Sequence, residues 1–211
     1  MGETGRKVKG LAGEMIRRYV AQELVQRLSE EVQEQLNLQE TLILGVVLKG
    51  LPVAYCLARM NGLVKNFVPI VAHRPLHMQH HVESCFPSPE WQAYFEKQLN
   101  RCESTLIVDD VVNTGFTKQR VETTIFPLIK KENKALRFAA LVLNMKNLAN
   151  QSFIRSDDLF ALKVDAEGVE CDWGLVTVPL WDLPMEEARL RCEKYLQRFW
   201  LDEKRFVTLS Y

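Results

Sequence analysis

TLIVDDVVNTGFT, residues 105–117, is the stretch from which the fold is read. Thr105, Leu106, Ile107 and Val108 are strand formers, and they run straight into two adjacent acids, Asp109 and Asp110. Val111 and Val112 follow, then the turn composition Asn113-Thr114-Gly115, then Phe116 and Thr117. Lys118–Lys131 reads as a helix whose end Pro127 shortens or kinks. The whole is a buried strand, an acidic tip, a tight loop and a helix start. In an open α/β sheet, ligands bind at the carboxyl ends of strands. Loop N–H groups and a helix N-terminus hold anions, phosphate above all. Carboxylates repel phosphate, so the two acids suit hydroxyls or a metal ion. A phosphate grip beside a diol grip describes a ribose phosphate. The competing reading is a buried strand with a solvated acidic turn, which does not call for Thr-Gly-x-Thr at this spacing.

The same arrangement occurs earlier in the chain. Thr41–Leu48 (TLILGVVL) is a continuous apolar run, as expected of a parallel strand covered on both faces. Lys49-Gly50-Leu51-Pro52 breaks it, and Val53–Met60 reads as a helix stopped by Asn61-Gly62. A Lys followed by Gly at a strand tip suits a second anion, the glycine letting the backbone approach and the ammonium adding charge.

Further elements extend the pattern. Apolar residues at Ile16, Tyr19, Val20, Leu24, Leu28, Val32 and Leu36 predict an amphipathic helix over about 11–38, facing the core. Asn66–Ala72 reads as a strand that Pro69 places at an edge or bulge. His73–Arg101 is the least regular stretch, with a short helix at Pro89–Leu99. It holds all four histidines, His73, His77, His80 and His81, whose spacing suits either zinc or a solvated loop. Ala135–Asn144 and Leu159–Val164 read as strands and Met185–Leu201 as an amphipathic helix. The tail, Phe206–Tyr211, suits an edge strand or an oligomer contact.

Composition narrows the function. A chain of 211 residues is long enough for one full α/β core. Its 27 basic and 27 acidic residues cancel, which argues against a nucleic-acid binder working by phosphate neutralisation. No apolar run reaches the roughly 18 residues of a membrane span. The N-terminus lacks the apolar core of a secretion signal, and Arg6 stands where a myristoylation motif has Ser or Thr. Five scattered cysteines without a CxxC pair fit reduced thiols in a cytoplasmic protein.

Leu106–Thr117 resembles the phosphoribosyl pyrophosphate motif of the type I phosphoribosyltransferases: a hydrophobic strand, two acids, two apolar residues, a variable residue, Thr-Gly, a variable residue and Thr. VLKG at 47–50 is similar to the pyrophosphate loop of the hypoxanthine–guanine branch, with Leu51-Pro52 where a further Gly or Ala is usual. The resemblance covers roughly Tyr19–Arg189. It implies a Rossmann-like parallel sheet in a single domain, with a core over about 11–146. A small hood from about 147–185, with part of the N-terminus, would cover the base. It also implies transfer of the phosphoribosyl group of phosphoribosyl pyrophosphate to a nucleobase, a 6-oxopurine, in purine salvage, with Mg²⁺ and a homo-oligomer.

Residue by residue, the resemblance assigns Asp109 and Asp110 to the ribose hydroxyls, with Mg²⁺ held there and by Asp182. The 5′-phosphate falls to backbone N–H groups of Asn113, Thr114, Gly115, Phe116 and Thr117 with the Thr114 and Thr117 hydroxyls, and the pyrophosphate to Lys49 and Gly50; Val111 and Val112 also count among the substrate-binding residues, and Asn113 among the catalytic ones. Trp173 would stack on the base, with backbone near Leu175 reading its edge; a core tryptophan is the other reading. Lys146 is the candidate for the base's six-position oxygen, two residues beyond Asn144, where the family's lysine aligns; a surface lysine is the other reading. Arg189 lies near a pyrophosphate-side arginine. The resemblance places a lid in 73–101, with His73-Arg74 where relatives carry Ser-Tyr. Asn113 replaces the acid that many 6-oxopurine enzymes use on the N7 proton, and an amide cannot take a proton. Three readings follow: a purine-type transferase, a non-catalytic binder of phosphoribosyl pyrophosphate or a nucleotide, and a transferase with another acceptor.

Overall fold

The apolar runs at 41–47 and 104–112 become the central strands of a parallel sheet. A computed structural model describes residues 6–9, 15–47, 49–71, 85–132, 134–148, 159–173, 183–202 and 204–211. The first elements are β1 (Arg6–Lys9), β2 (Met15–Val20), α1 (Ala21–Gln33), β3 (Thr41–Val47), α2 (Gly50–Met60), β4 (Phe67–Val71) and α3 (Pro89–Leu99). Then come β5 (Ser104–Val112), α4 (Phe116–Lys131), β6 (Ala135–Asn144) and α5 (Met145–Leu148). The last are β7 (Leu159–Val164), β8 (Gly168–Cys171), α6 (Met185–Asp202) and β9 (Phe206–Ser210).

The fold is α/β. Five strands form a sheet in the order β4-β3-β5-β6-β7, and every pairing in it is parallel. All seven residues of β3 are buried, because α2 packs on β3 and β5 while β4 and β5 flank it. α1 packs on β6 and β7, and α4 on β5 and β6. Pro69 sits on the edge strand β4 opposite Gly45, where its missing N–H costs no inner ladder bond. From β3 the chain steps outward to β4, then returns past β3 to β5, β6 and β7. The winding therefore reverses between β3 and β5, and open α/β sheets form their ligand crevice at such a switch point.

Four antiparallel strands, β1-β2-β9-β8, form a second sheet built from both ends of the described chain. Two sequence expectations change here. Residues 15–20 are strand β2, paired from Ile16↔Ser210 to Val20↔Phe206, and the helix begins only at Ala21. Ile16, Tyr19 and Val20 fit helical spacing, but they are also strand formers, and pairing with β9 decides between the two. The tail is no edge. β9 lies between β2 and β8, with Val207 and Leu209 fully buried.

The two sheets are joined by indole N–H bonds across α6. Trp200 Nε1 donates to the Pro52 carbonyl at 2.8 Å, and Trp173 Nε1 to the Lys49 carbonyl at 3.2 Å. Trp173, Phe199 and Trp200 pack as one aromatic cluster, with ring centroids 5.2–6.4 Å apart. All five cysteines are unpaired thiols. Among the described residues no helix is long and apolar enough to cross a membrane.

Because β9 is a core strand, Leu209→Ala should destabilise the chain by about 2–5 kcal/mol, the usual cost of emptying a buried leucine site. Urea unfolding would read this as a lowered midpoint. A midpoint equal to wild type would contradict a central β9.

Candidate active site

At the switch point the sheet opens. Pairing between β3 and β5 ends at Gly45↔Val108, one residue before Asp109. On either side pairing continues, β3 with β4 to Val47↔Val71 and β5 with β6 to Val112↔Leu143. The start of α2 fills the gap. A Cβ on Gly50 would lie 2.7 Å from Asp109 Cα, 2.8 Å from Asp109 Oδ1 and 2.9 Å from the Val108 carbonyl oxygen. Real Cβ atoms do not come so close, so residue 50 has to be glycine for the Lys49 turn to seat against Asp109. The physical reason differs from the sequence reading, since this glycine makes room for the chain's own carboxylate.

Both acids are nearly buried, Asp109 at 6% and Asp110 at 8% exposure. Asp109 Oδ1 accepts the Asp110 backbone N–H at 2.9 Å. Burial pushes the Asp109 carboxyl well above its ordinary value, and the adjacent Asp110 charge adds to the rise. Cys171, at the end of β8, lies beside Asp110. Burial raises its thiol pKa, the Asp110 charge raises it further, and the nearby Lys49 ammonium opposes both. The second sheet thus reaches the acids and Lys49 together. No motif had marked Cys171. Its only sequence signal was an isolated cysteine closing a short strand.

Beyond the acids, Asn113–Gly115 turn the chain into α4. Gly115 carries φ 75°, the left-handed region that favours glycine, and its carbonyl accepts the Gln119 N–H at 2.9 Å to start the helix. Amides in a helix's first turn have no intrahelical acceptor. They border a pocket of about 90 Å³ lined by Asp109, Asn113, Thr114, Gly115, Thr117 and Lys118 among others. Lys118 is a residue the sequence reading missed. It is 6% exposed, and its ammonium lies 5.8 Å from the Phe138 ring centroid. The signal was a cation in the first turn of a helix, where the dipole disfavours one.

Asn113 is held by two other asparagines. Asn144, fully buried at the end of β6, donates Nδ2–H to Asn113 Oδ1 at 3.2 Å. Asn147 Nδ2 on α5 donates to the same oxygen. Asn144 Nδ2 also donates to the Ala166 carbonyl at 3.1 Å. Its Oδ1 accepts the Lys146 N–H at 3.2 Å and the Ala166 N–H at 3.5 Å.

The remaining candidates scatter. Lys146 is exposed and pairs with Glu167, as the surface reading has it. Trp173 is 1% exposed inside the Phe199–Trp200 cluster, so it is a core tryptophan with no ring face turned to a base. Its tie to the site is the N–H bond to Lys49. Arg189 pairs with Glu186 at 3.0 Å and Glu193 at 2.9 Å on its own helix, near Tyr94 on α3. Leu175, Asp182, the side chain of Phe116 and the four histidines lie outside the described residues. Among the described residues no cluster of three or more His, Cys, Asp or Glu suits a metal.

Solved structures similar to this chain include a hypoxanthine-guanine phosphoribosyltransferase of Bacillus anthracis, with TM-score 0.44 and 15% identity over 71% of this chain and 81% of that one. A purine phosphoribosyltransferase of Pyrococcus horikoshii has TM-score 0.40 and 17% identity over 68% and 81%. A hypoxanthine phosphoribosyltransferase of Staphylococcus aureus has TM-score 0.39 and 15% identity over 71% and 78%. No family model and no curated protein matches the sequence.

Two outcomes follow from this geometry. Gly50→Ala should cost about 1–3 kcal/mol by overpacking against Asp109, read by chemical denaturation; an unchanged stability would contradict the close approach. For Asp109, the native state holds its proton more tightly than the unfolded chain does. Its contribution to stability is therefore present below the ordinary value of 3.8 and lost as pH rises through the raised one. Asp109→Asn should thus melt higher at neutral pH, by about 2–4 °C per kcal/mol recovered, with the gain vanishing in acid. A neutral-pH melting point at or below wild type would contradict it.

Proposed function

We propose that this chain is a type I phosphoribosyltransferase, moving the phosphoribosyl group of phosphoribosyl pyrophosphate onto a nucleobase. The observation that carries the reading is the meeting of two motifs at one switch point. The paired acids and Thr-Gly-x-Thr turn end β5, and the Lys49-Gly50 turn, ending β3, lies against Asp109.

Asp109 and Asp110 accept hydrogen bonds from the ribose 2′ and 3′ hydroxyls. Amides of the 113–117 turn and the start of α4, with the Thr114 and Thr117 hydroxyls, hold the 5′-phosphate. Lys49 holds the pyrophosphate. In the reaction the bond from C1′ to the pyrophosphate oxygen breaks, its electron pair leaving with pyrophosphate. A base nitrogen bonds to C1′ and its proton is released. The transition state is oxocarbenium-like, so the chain works by positioning and by placing carboxylates near the developing positive charge.

Mg²⁺ fits the donor set, because the Asp110 charge beside the buried Asp109 carboxyl raises that group's proton affinity and a divalent cation relieves it. When bound, it supplies charge neutralisation for the pyrophosphate, keeping few protein ligands as this ion prefers. The base is read as a 6-oxopurine, which gives the chain a place in purine salvage, in the cytoplasm and as a homo-oligomer. A second reading, binding without turnover or transfer to another acceptor, is favoured by Asn113, whose amide takes no proton.

The test is pyrophosphate release from phosphoribosyl pyrophosphate and Mg²⁺ with a panel of bases. Turnover with hypoxanthine, guanine or xanthine is expected. Asp109→Asn and Asp110→Asn should each lower kcat/KM by about 10²–10³-fold while the fold survives, the usual loss for one preorganised charge-stabilising group. Ligand binding with no turnover on any base would sink the transferase reading in favour of the second one.

A further inference from the structure

Backbone pairing of β5 with β6 ends at Val112↔Leu143. The next residues in register are Asn113 and Asn144, and there the side chains take over. Asn144 Nδ2 donates to Asn113 Oδ1 at 3.2 Å. This amide pair carries the ladder one step past its last backbone pair, onto the first residue of the Asn113-Thr114-Gly115 turn. Asn113 and Thr114 are exposed, whereas Asn144 is fully buried.

Asn144 can hold the turn because it is itself held. An amide side chain has two N–H donors and a carbonyl oxygen with two lone pairs. The second N–H of Asn144 donates to the Ala166 carbonyl at 3.1 Å, and its Oδ1 accepts the Lys146 N–H at 3.2 Å and the Ala166 N–H at 3.5 Å. Those backbone partners settle which end of the amide is nitrogen. One side chain thus meets both backbone groups of Ala166, as a residue on a neighbouring strand would. Ala166 is 1% exposed, and the Glu167 N–H beside it donates to the Ser210 carbonyl at 2.8 Å. A line of bonds therefore runs from β9 of the second sheet through Ala166 and Asn144 to Asn113. The Lys49 turn has a separate support, the Trp173 N–H.

We infer that Asn144 is a positioning residue for the phosphate turn: through Asn113 it fixes where the 113–117 amides stand against the pocket that Asp109, Thr114 and Thr117 help to line. Binding groups have to be held to within about 0.5 Å, and an exposed turn beyond the end of a ladder needs a support to meet that tolerance. The inference rests on the phosphoribosyl reading of the strand tips. It deepens that reading by making the 5′-phosphate, rather than the pyrophosphate, the part of the substrate whose affinity depends on Asn144.

The experiment is titration calorimetry of the full chain with two probes, ribose 5-phosphate and pyrophosphate with Mg²⁺, each variant first checked for a cooperative melt. Asn113→Ala and Asn144→Ala should each bind ribose 5-phosphate about three- to ten-fold more weakly than wild type, the worth of one neutral hydrogen bond. Both should bind pyrophosphate as wild type does, whereas a general loosening of the fold would weaken both probes. The double variant should bind ribose 5-phosphate no more weakly than the weaker single one, because each change removes the same bond. Equal losses for the two probes, losses that add in the double variant, or wild-type affinity for ribose 5-phosphate in either folded single variant overturns the inference. Asn144→Ala leaves both Ala166 backbone groups without this partner; should it not fold, Asn113→Ala, at an exposed position, decides alone. Phosphoribosyl pyrophosphate, titrated against wild type, separates the two levels. If it binds while ribose 5-phosphate does not, or while the variants are flat, only the positioning inference falls. If neither it nor either probe binds, the phosphoribosyl reading falls as well.

Discussion

The contact between Gly50 and Asp109 is the constraint on which the rest of the site depends. Hydrogen bonding between β3 and β5 stops one residue before Asp109, and the start of α2 enters the opening with no side chain in the way. This fixes the distance between the Lys49 turn and the acidic tip. It also removes water from one side of the Asp109 carboxyl, and burial beside Asp110 holds that group toward its protonated form. The fold accepts this electrostatic cost where the two strand tips meet. Perturbed carboxylates concentrate at functional sites for this reason.

A second layer of control comes from the antiparallel sheet. Its strands belong to both ends of the described chain, yet its β8 end delivers Cys171 to Asp110, and the next turn delivers the Trp173 N–H to the Lys49 carbonyl. Trp200 ties the same sheet's following helix to Pro52, at the start of α2. The Lys49 turn and the start of α2 are thus held by two indole hydrogen bonds as well as by the parallel sheet. Aromatic packing among Trp173, Phe199 and Trp200 stiffens that connection, and rigid supports keep a site's geometry within the tolerance catalysis needs.

Much of this was legible in the sequence, for identifiable reasons. The strands at 135–144 and 159–164 fall where the sequence reading put them, and those at 41–47 and 104–112 within a residue. Continuous apolar runs have few alternatives once turn residues bound them. The helices after β3 and β5 begin two or three residues earlier than periodicity alone indicated, because Gly50 and Phe116 are already helical. β2 was hidden because Ile16, Tyr19 and Val20 satisfy both periods over so short a span, and its partner β9 is far along the chain. Base-side residues were the least legible. Trp173 carries the composition of a stacking residue but is closed in by α6, a tertiary fact. Lys146 aligns near the site but turns to Glu167. The Asn113–Asn144–Asn147 network joins residues about thirty positions apart and no local pattern announces it.

The central claim is that the tips of β3 and β5 together hold phosphoribosyl pyrophosphate. Equilibrium titration of that compound in the presence and absence of Mg²⁺, against wild type and the double variant Asp109→Asn, Asp110→Asn, tests it most directly. The account predicts one molecule bound per chain, tighter with Mg²⁺, and binding lost in a double variant that still melts cooperatively. No binding to wild type, or equal binding to the folded double variant, would contradict it.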